Sequence, residues 1–182
     1  MNAEAAVIVW LVRHGETEWN AEGRFQGWTD VPLNETGRAQ ADLLRDVLDR
    51  YEFDSIWSSD LVRAVETARI AVGEPAVDRR LRELDFGDLE GAVWDELDSE
   101  IRAGLKEFES FRAPGGESAA GFVERVFAFL DDLEPGRHVV FSHGGVIRAI
   151  GRVCGSDGFP SHADVVKVDW TNRLSLESDS TS

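Results

Sequence analysis

Cysteine is all but missing. Cys154 stands alone among the 182 residues, which excludes an internal disulfide and any cysteine-rich zinc site. Lysine is nearly as scarce, with only Lys106 and Lys167. Arginine therefore carries most of the positive charge, and its planar fork suits bidentate contact with phosphate or carboxylate. Positive charge is outnumbered overall. A formal net charge of −16 weighs against nucleic acid or an anionic membrane surface as a partner. Long apolar runs are lacking as well. The stretch within residues 1–12 is too short to span a bilayer and has no basic leader, so the expected location is cytoplasmic, with no membrane partner. No repeat or low-complexity segment interrupts the chain. What is present is a hydrophobic fraction of 42% with six tryptophans, enough to fold a globule. The length suits one compact domain, or a domain plus a lid.

The run Val7 to Val12 reads as a buried strand that stops at Arg13-His14-Gly15. A long polar loop follows, carrying Asn20, Arg24, Gln26 and Trp28, and Asn34 caps a helix running to about Tyr51. Ser55 to Ser58 reads as a short strand, with Asp60 as cap of a helix through Val72 that holds Arg63 in its first turn. From Val93 the apolar positions keep helical spacing to Phe108, predicting one helix in a flap over residues 92–118, within which Trp94, Phe108 and Phe111 pack. Pro114-Gly115-Gly116 breaks that helix and Ser118 starts another. Val139 to Phe141 is again a strand, closed by Ser142-His143-Gly144-Gly145 and a helix to Val153, and Val165 to Val168 is the last strand. Strands alternating with helices predict a three-layer α/β/α sandwich with a mainly parallel, mixed sheet. Residues 1–176 are expected to form one domain, and the polar tail 177–182 to fray.

Polar groups thus gather where strands end: Arg13 and His14, then Arg63, then His143. Carboxyl ends of strands in open α/β sheets are where ligands bind. A histidine there can be a nucleophile, a base or a metal ligand. Glu16 and Glu18 near His14 would allow a metal site, but the arginines would compete with a cation. Two guanidiniums and a protonatable imidazole suit a compact dianion such as a phosphoryl group. His138 and His162 lack supporting context and read as surface residues.

Leu11-Val12-Arg13-His14-Gly15-Glu16-Thr17-Glu18-Trp19-Asn20 resembles the signature of the histidine phosphatase superfamily, also called phosphoglycerate mutase-like. The resemblance continues through Gly23-Arg24-Phe25-Gln26-Gly27, Ser58-Ser59 with Arg63, Leu81-Arg82-Glu83, Gly116-Glu117-Ser118 and Ser142-His143-Gly144. It implies that His14 becomes a phosphohistidine, that Arg13, Arg63 and His143 hold the phosphoryl oxygens with Asn20 and Gly144 helping, and that Glu83 is the general acid. Arg24, Gln26 and Trp28 would border the substrate. Asp85, Asp88 and Glu90 compete with Glu83 for the acid's role. The resemblance implies no metal and no cofactor.

A phosphate ester is itself an anion, so the net charge must be weighed against the cluster. An arginine about 4 Å away at an effective dielectric near 20 attracts it by roughly 4 kcal/mol. Sixteen charges at about 15 Å, screened with a Debye length near 8 Å, oppose it by less than about 1 kcal/mol. The local cluster wins. Between Leu84 and Ser118 only Arg102, Lys106 and Arg112 face ten acidic residues, which disfavours bisphosphates. The expected activity is hydrolysis of a small monophosphate whose other half is neutral or cationic. Phosphoglycerate mutase-type transfer and a non-catalytic phosphate-binding module remain as alternatives. No oligomeric state follows from the sequence.

Overall fold

Strand β1 (Val7–Arg13) is where the two faces of the molecule are set. Its side chains alternate with period two. Val7, Val9 and Leu11 face one apolar core, while Trp10 and Val12 face a second. The computed structural model describes residues 6–177. It orders six strands as β3-β2-β4-β1-β5-β6, where β2 is Ser55–Ser58, β3 Ala76–Val77, β4 Gly136–Ser142, β5 Val165–Asp169 and β6 Leu174–Leu176. β1 to β4 are mutually parallel, β5 runs antiparallel to β1, and β6 is antiparallel to β5 and so points the same way as β1. The mixed α/β/α sandwich is therefore as the patterning predicts, with β3 and β6 as additional short edge strands.

Helices cover both faces. On one side α5 (Ala119–Asp131) and α6 (Gly144–Val153) bury Phe122, Val126, Phe129, Val146 and Ile150 against Leu11 and Val140. On the other, α2 (Glu35–Leu48) and α3 (Val62–Ala71) bury Leu44, Leu48, Ala68 and Ala71 against Trp10, Val12 and Phe141. A four-residue helix α1 (Glu18–Ala21) follows β1, and α4 is Ser99–Glu107. Asn34 and Ser118 cap α2 and α5 through their side-chain oxygens, as expected. Among the described residues, no helix is long and apolar enough to cross a membrane.

Two local expectations are corrected. Asp60 does not cap α3, whose cap position is Leu61 with no side-chain bond. Its carboxylate instead holds Arg82 through two 2.6 Å bonds, because a guanidinium fork offers two parallel charge-assisted donors where a helix end offers neutral amides. The helix over Val93 to Phe108 is split. A 3-10 turn at Trp94–Glu96 leads to an extended Leu97, and Asp98 then caps α4 by accepting from the Ile101 amide at 2.8 Å. Aspartate competes for backbone donors and so starts a new helix rather than continuing the old one.

Candidate active site

The register of β1 against β4 pairs Arg13 with Ser142. The next residue of each strand is a histidine, so His14 and His143 emerge side by side. The His14 amide donates to the Ser142 carbonyl at 3.0 Å, and the two ring centroids lie 5.2 Å apart. Both rings are buried.

His14 is held in one tautomer. Its Nδ1 lies 2.7 Å from the Gly15 carbonyl, which can only accept, so Nδ1 carries the proton and Nε2 keeps the lone pair. Burial and the charges of Arg63 and Arg13 hold this imidazole well below its ordinary range, which leaves it neutral at physiological pH. The Gly15 turn is tight for a packing reason. A Cβ there would meet the Gly37 carbonyl oxygen at 2.3 Å, at the start of α2.

Two guanidiniums converge on the imidazoles, each anchored from behind. Arg63 sits in the first turn of α3, fully buried, and donates to the carbonyls of Thr29 (3.1 Å) and Gly27 (2.7 Å). Glu90 shapes that loop, accepting from the amides of Trp28 and Thr29, both at 2.7 Å. Burial pushes Arg63 down to about 10, with Glu83, Asp30 and Glu90 opposing the shift, so it stays charged at neutral pH. Arg13 donates to the Pro160 carbonyl at 2.8 Å and to His162 Nε2 at 2.9 Å. The Phe159 ring lies 5.0 Å from its guanidinium carbon.

What these groups leave undone defines the site. Arg13 Nε, Arg63 Nε, Gln26 Nε2 and both ring nitrogens of His143 are buried without a hydrogen-bond partner. Buried polar atoms are nearly always satisfied. Arg13, His14, Asn20, Gln26, Glu83 and Gly144 line one cavity of about 410 Å³, whereas Arg63 and His143 are fully buried behind its wall and Trp28 does not line it. Donors left open on charged and imidazole groups around such a cavity fit a tetrahedral oxyanion.

Glu83 is fixed at the same cavity. Its Oε1 accepts from the Leu84 amide and its Oε2 from the Gly145 amide, both at 2.9 Å. Of the competing carboxylates, Asp85 accepts from the Gly87 amide at 2.9 Å and Glu90 is taken up by the Trp28 loop. Neither they nor Asp88 line the cavity. Asn20 is held by the cap of α1, where its Oδ1 accepts from the Thr17 amide at 3.1 Å. Gln26 Oε1 accepts from the Thr17 hydroxyl at 2.7 Å. Arg24 stands at the rim, paired with Glu22 and donating to the Gly91 carbonyl at 2.7 Å. Glu16 is engaged by Asn34 Nδ2 at 2.9 Å.

Sequence reasoning placed several residues wrongly or missed them. His162 is a neighbour of the cluster, 6.0 Å from His14 between ring centroids, and burial with Arg13 pushes it down to about 4. His138 is buried too, between Ser55 Oγ (2.7 Å) and the Glu134 carbonyl (2.8 Å). Trp94 and Phe108 line the cavity and do not simply pack among themselves, whereas Phe111 is buried. Arg125 was missed altogether. It donates to the carbonyls of Arg80, Arg82 and Glu83 at 2.7–2.8 Å and so sets the backbone that carries Glu83. Its signal was legible: an arginine three residues after Phe122 and four before Phe129 lies on the apolar face of α5.

Fold and site together define a class: an α/β sandwich with a histidine and arginine cluster, a candidate oxyanion site, at the ends of its central parallel strands. The chain belongs to the histidine phosphatase superfamily (branch 1), whose profile matches residues 9–174. It is 40% identical over 155 residues to phosphoglycerate mutase-like protein 4 of Arabidopsis thaliana, covering 77% of this chain and 67% of that protein. The crystal structure of a phosphoglycerate mutase from Thermus thermophilus is 46% identical with a TM-score of 0.89, covering 96% of this chain and 99% of the other. A candidate alpha-ribazole-5′-P phosphatase from Escherichia coli is 27% identical with a TM-score of 0.81, covering 94% of each chain.

Proposed function

We propose that this protein hydrolyses small phosphate monoesters through a phosphohistidine at His14. The observation that carries the reading is the single free lone pair on His14 Nε2, set by the 2.7 Å bond between Nδ1 and the Gly15 carbonyl, beside four residues with unpartnered donors. Nε2 attacks phosphorus in line and the ester P–O bond breaks. Glu83 gives its proton to the departing alcohol oxygen. Arg13 and Arg63 neutralise and bond the phosphoryl oxygens, and the neutral His143 imidazole donates one hydrogen bond, with Asn20, Gln26 and the Gly144 amide completing the shell. Glu83, now a carboxylate, takes a proton from water, which attacks the phosphohistidine and releases phosphate. Two easier transfers replace one difficult displacement.

Hydrolysis is favoured over transfer between two oxygens of a phosphoglycerate by the charges around the cavity. A mutase must hold a second anionic group while the phosphoryl group moves. Of the basic residues in the flap segment 92–118, Arg102, Lys106 and Arg112, none lines the cavity, and the arginines at its rim, Arg24, Arg148 and Arg152, are paired with Glu22 and Asp157. The relatives named mutases favour the other reading and the one named a phosphatase favours this one, and one assay separates them. Phosphate release from a panel of monoesters is compared with isomerisation of 3-phosphoglycerate given a trace of 2,3-bisphosphoglycerate. Phosphate release with acid-labile label on His14, lost in His14→Ala, is expected. Efficient isomerisation with little release of phosphate overturns the proposal, and binding without turnover points to a regulatory module.

A further inference from the structure

We infer that the natural substrate is the phosphate ester of an apolar alcohol, an inference that rests on the phosphatase reading of the same cavity. The phosphoryl cluster accounts for only part of that cavity. Its remaining wall includes Phe25, Phe86, Trp94, Leu105, Phe108 and Phe122. Their rings form two touching groups: centroids are 5.2 Å apart for Phe25 and Phe86 and 6.3 Å for Phe25 and Trp94, and separately 6.3 Å for Phe108 and Phe122. Trp94 remains 37% exposed and Phe159, which also lines the cavity, 58%. Apolar surface kept open beside a polar cluster marks a place for an apolar ligand.

The cations at the rim do not offset this. Arg24 is closed by Glu22 and the Gly91 carbonyl. Arg148 and Arg152 both point their Nε at Asp157 Oδ1, at 3.0 and 2.7 Å. Lys106 lies with its ammonium 5.8 Å from the Trp94 ring centre. An anionic group on the alcohol could reach only the remaining Nη donors of guanidiniums already paired to Asp157, in a rim open to water where such a pair contributes little. A polyol would strip water from its hydroxyls against aromatic rings that return no hydrogen bond. An alkyl or aryl group gains from the same surfaces.

A homologous series tests this without changing the leaving group. Ethyl, butyl and hexyl phosphate all release an alkoxide of similar basicity. At about 0.8 kcal/mol per buried methylene, kcat/KM should rise roughly three- to fourfold for each CH2 until the cavity is filled. Glycerol 3-phosphate should fall at least about tenfold below propyl phosphate, and 3-phosphoglycerate lower still. Phe108→Ala should shrink the increment per methylene. Matched n-alkylphosphonates, titrated calorimetrically into the intact protein, should bind more tightly with length. Turnover that is independent of chain length, or that favours 3-phosphoglycerate, overturns the inference and leaves the phosphatase reading standing. Phosphonate affinity that climbs with length while no ester releases phosphate does the reverse: the apolar wall is real and hydrolysis is the wrong reaction.

Discussion

Gly145 offers the sharpest test of how Glu83 is held. It sits in the first turn of α6, and its amide donates to Glu83 Oε2 at 2.9 Å. A methyl group there would lie 2.2 Å from Glu83 Oε1, 3.0 Å from its carboxyl carbon and 3.2 Å from Oε2. The carboxyl must retreat by roughly 1 Å, a misplacement that can cost about 100-fold in rate. It would also lose bonds from the Leu84 and Gly145 amides. Each of these bonds to the protonated acid contributes about 0.5–1.5 kcal/mol, while alanine in a helix regains about 0.5–1 kcal/mol over glycine. Gly145→Ala should therefore stay folded and only modestly destabilised. The rate of His14 phosphorylation by an alkyl phosphate, followed by quench-flow, should drop about 100-fold, within the range that general acids contribute. With 4-nitrophenyl phosphate the leaving phenolate needs no proton. Its stopped-flow burst should stay within about tenfold of the parent. If both esters slow equally, the glycine serves the phosphoryl pocket instead. If neither slows, Glu83 is not the acid.

Further outcomes follow from the same geometry. Arg63→Met removes a guanidinium worth roughly 4 kcal/mol to a phosphoryl group about 4 Å away; kcat/KM should fall about 1,000-fold, and a loss under tenfold refutes its role. The same change strands the Gly27 and Thr29 carbonyls, so thermal melts should show a destabilisation of about 1–3 kcal/mol for each one left buried. Stability should also depend on pH through three histidines. Burial with nearby arginine charge holds His14, His143 and His162 below their ordinary range, His162 at about 4. Unfolded imidazoles take protons below about 6.5 while these do not, so the unfolded state binds more protons and stability falls as pH drops. Each histidine adds at most about 1.4 kcal/mol per pH unit, and half-exposed His162 less, over the window from about 6.5 to 4. Urea unfolding at pH 8, 6 and 5 measures this. His162→Phe should flatten the slope, whereas a stability that is level or rising toward pH 5 refutes the assignment.

The amino-acid order alone determined the elements and the cast of the site. The runs ending at Arg13 and Ser142, the capping residues Asn34 and Ser118, and the motif around His14 are local signals, set by side chains within a turn or a few residues of one another. Local signals also misled where a distant partner or a competing local cap overrode them. Asp60 left its helix for Arg82, and Asp98 cut the periodic stretch from Val93 to Phe108. Only the tertiary structure decided the rest. The pairing of Arg13 with Ser142 brings together two imidazoles 129 positions apart in the chain, and the loop before β5 swings His162 onto Arg13. Arg125 grips three carbonyls of a segment some forty residues earlier. Strand register and packing between layers fix such contacts, and neither leaves a periodic trace in the sequence.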